Sequence, residues 1–148
     1  MGQKFPMAAV TLSATRRFAG FAEAPQVNPF HLEQAITSGL PRETLRDVAR
    51  SIWPDSTDAN KLIHAIVPKS SLGRRDTLTP AQGEQTERLA RLFAYAVRLF
   101  DDIDDARAFM QRPHPELDGR RPVDACLTEL GGRAVERVLD SLAFGLPV

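Results

Sequence analysis

Between Thr79 and Phe100 the chain offers one unbroken amphipathic stretch, and this stretch constrains the fold more than any other feature. Thr79-Pro80 is a start signal: a hydroxyl that can cap free N–H groups, then a proline where a missing N–H costs nothing. Leu89, Leu92, Phe93, Ala96, Leu99 and Phe100 recur at spacings of three and four, so they share one face of an α-helix. Arg88, Arg91 and Arg98 fall off that stripe. A long helix with one apolar face needs other elements to cover it, and the rest of the chain also reads as helices.

Asn28 is a cap, Pro29 fills a first turn, and Phe30, Leu32, Ala35 and Ile36 share a face before Gly39 stops the helix. Pro41 opens the next helix, with Leu45, Val48, Ala49 and Ile52 inward, and Trp53-Pro54 ends it. Asp55 to Thr57 supply caps for a third helix bearing Leu62, Ile63 and Ile66. Beyond the long helix, Asp101-Asp102 closes it and caps a shorter one with Ala106, Phe109 and Met110. Pro113 and Pro115 force irregular chain through Gly119. Pro122 restarts a short helix with Val123, Ala125, Cys126 and Leu127, which Gly131-Gly132 is expected to break. A last helix carries Val135, Val138, Leu139 and Leu142 and stops at Gly145. There is no β alternation of useful length and no internal repeat, so the expected class is all-α. Residues 1–27 read as a flexible N-terminal arm, with Leu12–Phe21 its one candidate helix.

Length and composition agree with a small globular chain. Its 148 residues, 43% hydrophobic and 26% charged, allow one ordinary domain or two small helical lobes with a real core. Acids and bases balance at 19 each, but unevenly along the chain. Residues 1–78 hold 10 Lys/Arg against 7 Asp/Glu, net +3, and residues 79–148 hold 9 against 12, net −3. A basic half followed by an acidic half suggests two tasks. The single cysteine, Cys126, excludes an internal disulfide framework and points to a reducing compartment. No apolar run approaches the roughly 18–20 residues of a membrane span. Arg16-Arg17 precedes Phe18, but Gly20, Glu23 and Pro25 interrupt what an export signal would need. A cytoplasmic protein without membrane contact is the expectation.

Nothing in the pattern argues for catalysis, a metal or a cofactor. His31, His64 and His114 are scattered without ligand spacing, and no glycine loop is built to cradle phosphate. Asp101, Asp102, Asp104 and Asp105 lack the glycine and distal glutamate of a calcium loop, and helix capping explains them. Cys126 sits on an apolar face with no base nearby, as a buried structural thiol would.

The segment Val67-Pro68-Lys69-Ser70-Ser71-Leu72-Gly73-Arg74-Arg75 is more informative. A helix, a tight turn and a short basic helix make up helix-turn-helix grammar. Lys69, Arg74 and Arg75 supply phosphate attraction, Ser70 and Ser71 can reach phosphates or base edges, and Leu72 anchors inward. A basic surface turn with no DNA role fits the same residues.

From Gly39 onward the chain resembles the Xre/MbcA/ParS antitoxins, partners of RES-domain toxins. The resemblance rests on Pro68 to Arg75, Leu78-Thr79, Glu87-Arg88-Leu89-Ala90-Arg91-Leu92 and Ala96 to Phe100. It continues through Ala106, Phe109-Met110, Pro113 and Leu117-Asp118-Gly119-Arg120-Arg121-Pro122. It ends with Leu127-Thr128-Glu129, Gly131, Val135, Leu139 and Phe144-Gly145. The family usually shows a tryptophan and a leucine where Phe109 and Met110 stand, so apolar character is kept and the packing changes.

The resemblance implies an antitoxin of a type II toxin–antitoxin system, closest in character to the ParS type. Such a protein is not an enzyme. It would inhibit an NAD-consuming, ADP-ribosyltransferase-like toxin by covering its NAD pocket, and with the toxin repress its own operon. The expected division is a helix-turn-helix domain over residues 28–78 and a toxin-binding domain over 79–148. An NAD pocket must attract phosphates with cations, so an acidic partner surface complements it. That places the expected toxin contact at Glu136, Asp140, Phe144, Leu146, Pro147 and Val148, the last three a short stiff peg with a terminal carboxylate. The expected DNA contact is Lys69, Ser70, Ser71, Arg74 and Arg75. A homodimer reading two half-sites, and a two-plus-two assembly with toxin, follow from the same grammar. A stand-alone helix-turn-helix repressor is the alternative.

Overall fold

The computed structural model describes residues 28–71 and 75–145. The arm 1–27 with its candidate helix, Leu72–Arg74 and the peg 146–148 therefore lie outside the described residues.

Local chemistry starts several of the helices where the caps predict. The Asn28 side chain accepts from the Phe30 N–H at 2.8 Å and opens α1, Pro29–Ser38. Helix α2, Arg42–Ile52, follows Pro41, and α3, Ser56–Ile66, follows Asp55. The side chain of Asp55 makes no capping bond. Thr79 and Gln82 form a reciprocal capping box, Oγ1 accepting from the Gln82 N–H at 3.2 Å and Oε1 from the Thr79 N–H at 3.0 Å. That box starts α4, Pro80–Phe100, the helix foreseen from the apolar stripe. Asp101 turns the chain with a left-handed backbone. Asp102 then caps α5, Ile103–Gln111, accepting from the N–H groups of Asp104 and Asp105 at 2.7 and 3.0 Å. A 3-10 turn at Pro115–Leu117 leads to α6, Pro122–Ala125, and α7, Glu129–Phe144, closes the fold.

Helix α4 is the axis. Helices α1, α2, α5 and α7 all pack on it, and α3 reaches the core through α2. Leu89, Leu92, Phe93 and Ala96 are fully buried, as the stripe requires, with Val97 beside them. Burying each large apolar side chain contributes about 1.5–3 kcal/mol against the ordering entropy. One continuous cluster runs from Ile36 and Leu40 through Phe93 to Val135 and Leu139, so helices from both halves of the chain share one core.

Three expectations change. Phe30 does not share the inward face of α1: it is 74% exposed, while Ile36 is buried. Gly131-Gly132 does not break a helix; both residues lie in the first turns of α7. A β-carbon on Gly131 would stand 2.0 Å from the carbonyl oxygen of Ala125, so the residue is glycine because α6 passes against it. Arg88, off the predicted stripe, is nonetheless buried. Its Nη1 donates to the Cys126 carbonyl at 3.1 Å, and its Nη2 lies 3.5 Å from Glu129.

Candidate functional site

The carboxyl-terminal face is built from α7 against α4. Glu136, Asp140 and Phe144 stand four apart, so they line one edge of α7. That edge runs beside Arg91 and Tyr95 of α4. Glu136 is exposed, 3.9 Å from the Arg91 guanidinium. Asp140 is half-buried and accepts the Tyr95 hydroxyl at 2.6 Å, so the carboxylate is held rather than free to swing. Burial first, and that bond second, push the Tyr95 phenol up to about 12.

Beyond these acids the surface turns apolar. Phe144 is 72% exposed and Leu142 48% exposed at the end of the helix, and Leu130 is 76% exposed at its start. Gly145 ends α7 in a left-handed conformation, its N–H returning to the Ser141 carbonyl. The sequence placed Leu142 on the apolar face of the last helix with Val135, Val138 and Leu139, but it stands half exposed while those three are buried, and Leu130 was not singled out.

Of the basic segment, the described residues are Lys69–Ser71 and Arg75. Where it is described, the expected helix after Val67-Pro68 is a single 3-10 turn, Lys69–Ser71. Lys69, Ser70 and Arg75 are exposed; Ser71 is half-buried and its carbonyl accepts from Arg42 Nη2 at 2.7 Å. Arg74 lies outside the described residues. Arg42 therefore belongs to this region, a contact that no local pattern announced.

The remaining polar residues serve the fold. His114 Nδ1 accepts from the Glu116 N–H at 3.1 Å, capping the second 3-10 turn. Arg107 joins Asp104 at 3.1 Å and donates to the Ser51 carbonyl at 2.7 Å, tying α5 to α2. Burial pushes the Cys126 thiol up to about 12, which makes it a poor nucleophile. Among the described residues no group of three His, Cys, Asp or Glu side chains is placed to hold a metal ion. None of the described helices is long and apolar enough to cross a membrane.

Residues 96–145 match the family model described as the antitoxin Xre/MbcA/ParS C-terminal toxin-binding domain. That stretch of the chain carries the antitoxin toxin-binding domain. The matched span takes in the end of α4, α5, α6 and α7, and so Glu136, Asp140 and Phe144, while Arg91 and Tyr95 lie just before it. A search of curated proteins returned no match.

Proposed function

We propose that this chain is the antitoxin of a type II toxin–antitoxin pair whose toxin is a RES-domain, NAD-consuming enzyme. In this reading the carboxyl end of α7 blocks the toxin's NAD pocket. The supporting observation is Phe144, an exposed ring at the tip of the domain whose family binds toxins. An NAD pocket combines an apolar slot for a ring with cations for the pyrophosphate. Phe144 answers the first, and the carboxylates of Glu136 and Asp140 answer the second. Leu146, Pro147 and Val148 extend the same contact. Residues 79–148 form the toxin-binding domain and residues 28–78 the DNA-binding one.

The exposed Lys69, Ser70 and Arg75 support operator contact, to which Ser71 and Arg74 are assigned as well, and so autoregulation of the operon. The working unit is a homodimer, joined by toxin in a two-plus-two complex.

Co-expression with a RES-domain toxin encoded beside this chain tests the reading. Growth and cellular NAD are restored when this chain is present. Undiminished toxicity and NAD loss in its presence would reject the pairing.

A further inference from the structure

At the amino end of α2, three arginines surround one concavity. Pro41, Arg42, Glu43, Arg46, Arg75 and Asp76 line a surface pocket of about 450 Å³. Backbone bonds fix its two walls. Pro41 and Thr77 form an antiparallel bridge, the Arg42 N–H donates to the Asp76 carbonyl at 3.0 Å, and the Leu78 N–H donates to the Leu40 carbonyl at 2.7 Å. Arg75 is thereby held beside Arg42 although they are far apart in sequence.

The pocket's charges are not balanced internally. Arg46 is exposed and pairs with Glu43 on its own helix, which keeps the guanidinium at the rim. Arg42 uses Nη2 on the Ser71 carbonyl, while its Nε is buried with no hydrogen-bond partner among the described residues. Three guanidinium groups face the carboxylates of Glu43 and Asp76, a surplus of one positive charge.

We propose that this pocket seats a phosphodiester of duplex DNA, anchoring the strand next to the Lys69–Ser71 turn. The proposal rests on the DNA-contact reading above. Guanidinium forks match phosphate oxygens better than an ammonium does. The Arg42 bond to Ser71 ties the pocket to the basic turn. A lone anion would leave Lys69 unused, whereas a strand engages both. Such a contact sets orientation and affinity without reading sequence.

Fluorescence anisotropy of the full chain with a labelled duplex of arbitrary sequence tests this, titrated at rising potassium chloride. Arg46→Gln removes an exposed side chain, and an unchanged melting temperature confirms that it folds. Arg42→Gln is the second variant and Lys69→Gln the comparison. The expected result is weaker binding for both arginine variants, with the salt slope reduced by about 1 each, as for one lost phosphate contact. Wild-type affinity and slope in both arginine variants, with Lys69→Gln weakened, would overturn the anchor and leave the DNA reading standing. No duplex binding by the wild type would overturn both.

Discussion

Gly132 and Arg88 meet across the α4–α7 interface so closely that a β-carbon on Gly132 would stand 2.5 Å from Cδ of Arg88. Arg88 is in turn held by the Cys126 carbonyl, so it has little room to retreat. Gly132 thus sets how closely α7 lies on α4, and Gly131 how closely it lies on α6.

Gly131→Ala and Gly132→Ala are expected to lower stability, although alanine is the better helix former by about 1 kcal/mol. The obstacle at 131 is the Ala125 backbone, which cannot move aside as a side chain can. Overpacking of this kind costs about 1–3 kcal/mol. Chemical denaturation should therefore rank Gly131→Ala below Gly132→Ala. A stabilised Gly131→Ala would contradict the close seat of α7.

Phe93 is fully buried on α4 at the centre of the shared core. Truncation to alanine should cost about 3–5 kcal/mol, the range for a large aromatic leaving a cavity. A melting curve matching the wild type would show that this stripe is not the core.

Tyr95 is the chain's one tyrosine, so its phenolate absorbance reports one site. Its folded pKa of about 12 lies above its ordinary 10.0. The neutral phenol is the favoured form in the fold, so this contribution is complete below pH 10 and is lost as pH rises through 12. The absorbance step should come late, and Asp140→Ala should move it toward lower pH. A step at the ordinary value in the wild type would mean that the Tyr95–Asp140 bond does not persist in solution.

Cys126 is the one thiol, buried, with its pKa pushed up to about 12. An aromatic disulfide reagent at neutral pH should find almost no free thiol in the folded protein and one per chain in denaturant. Rapid native labelling would show that α6 opens readily.

What the sequence disclosed follows the range of the interactions. The capping groups of Asn28, Thr79 and Asp102 act two or three residues away, so residue type and spacing are enough to find them. The stripe on α4 is also local, because the helix period decides which residues share a face. Arg88, Gly131 and Gly132 were misjudged for the opposite reason. Their roles depend on a contact between helices, and alone they read as a surface cation and a helix break. Phe30 fails similarly, since its partners in α1 pack inward while it stays out. At the candidate site, Phe144 and the acids of α7 were named from charge together with what the family resemblance implies, and the structure sets them along one edge of α7. Leu130 and Arg42 were not, and Leu142 was placed inward, because burial and the Pro41–Thr77 bridge are properties of the assembled fold.

The proposed closure of a RES-domain toxin's NAD pocket by the tip of α7 is measured by NAD consumption of the purified toxin, titrated with this chain and with Phe144→Asp. Phe144 is exposed, so the variant should melt like the wild type. The wild type is expected to stop NAD consumption once toxin is saturated, while Phe144→Asp needs far higher concentration or fails. Equal inhibition by both, at equal concentration, would contradict that closure and move the neutralising contact away from the helix tip.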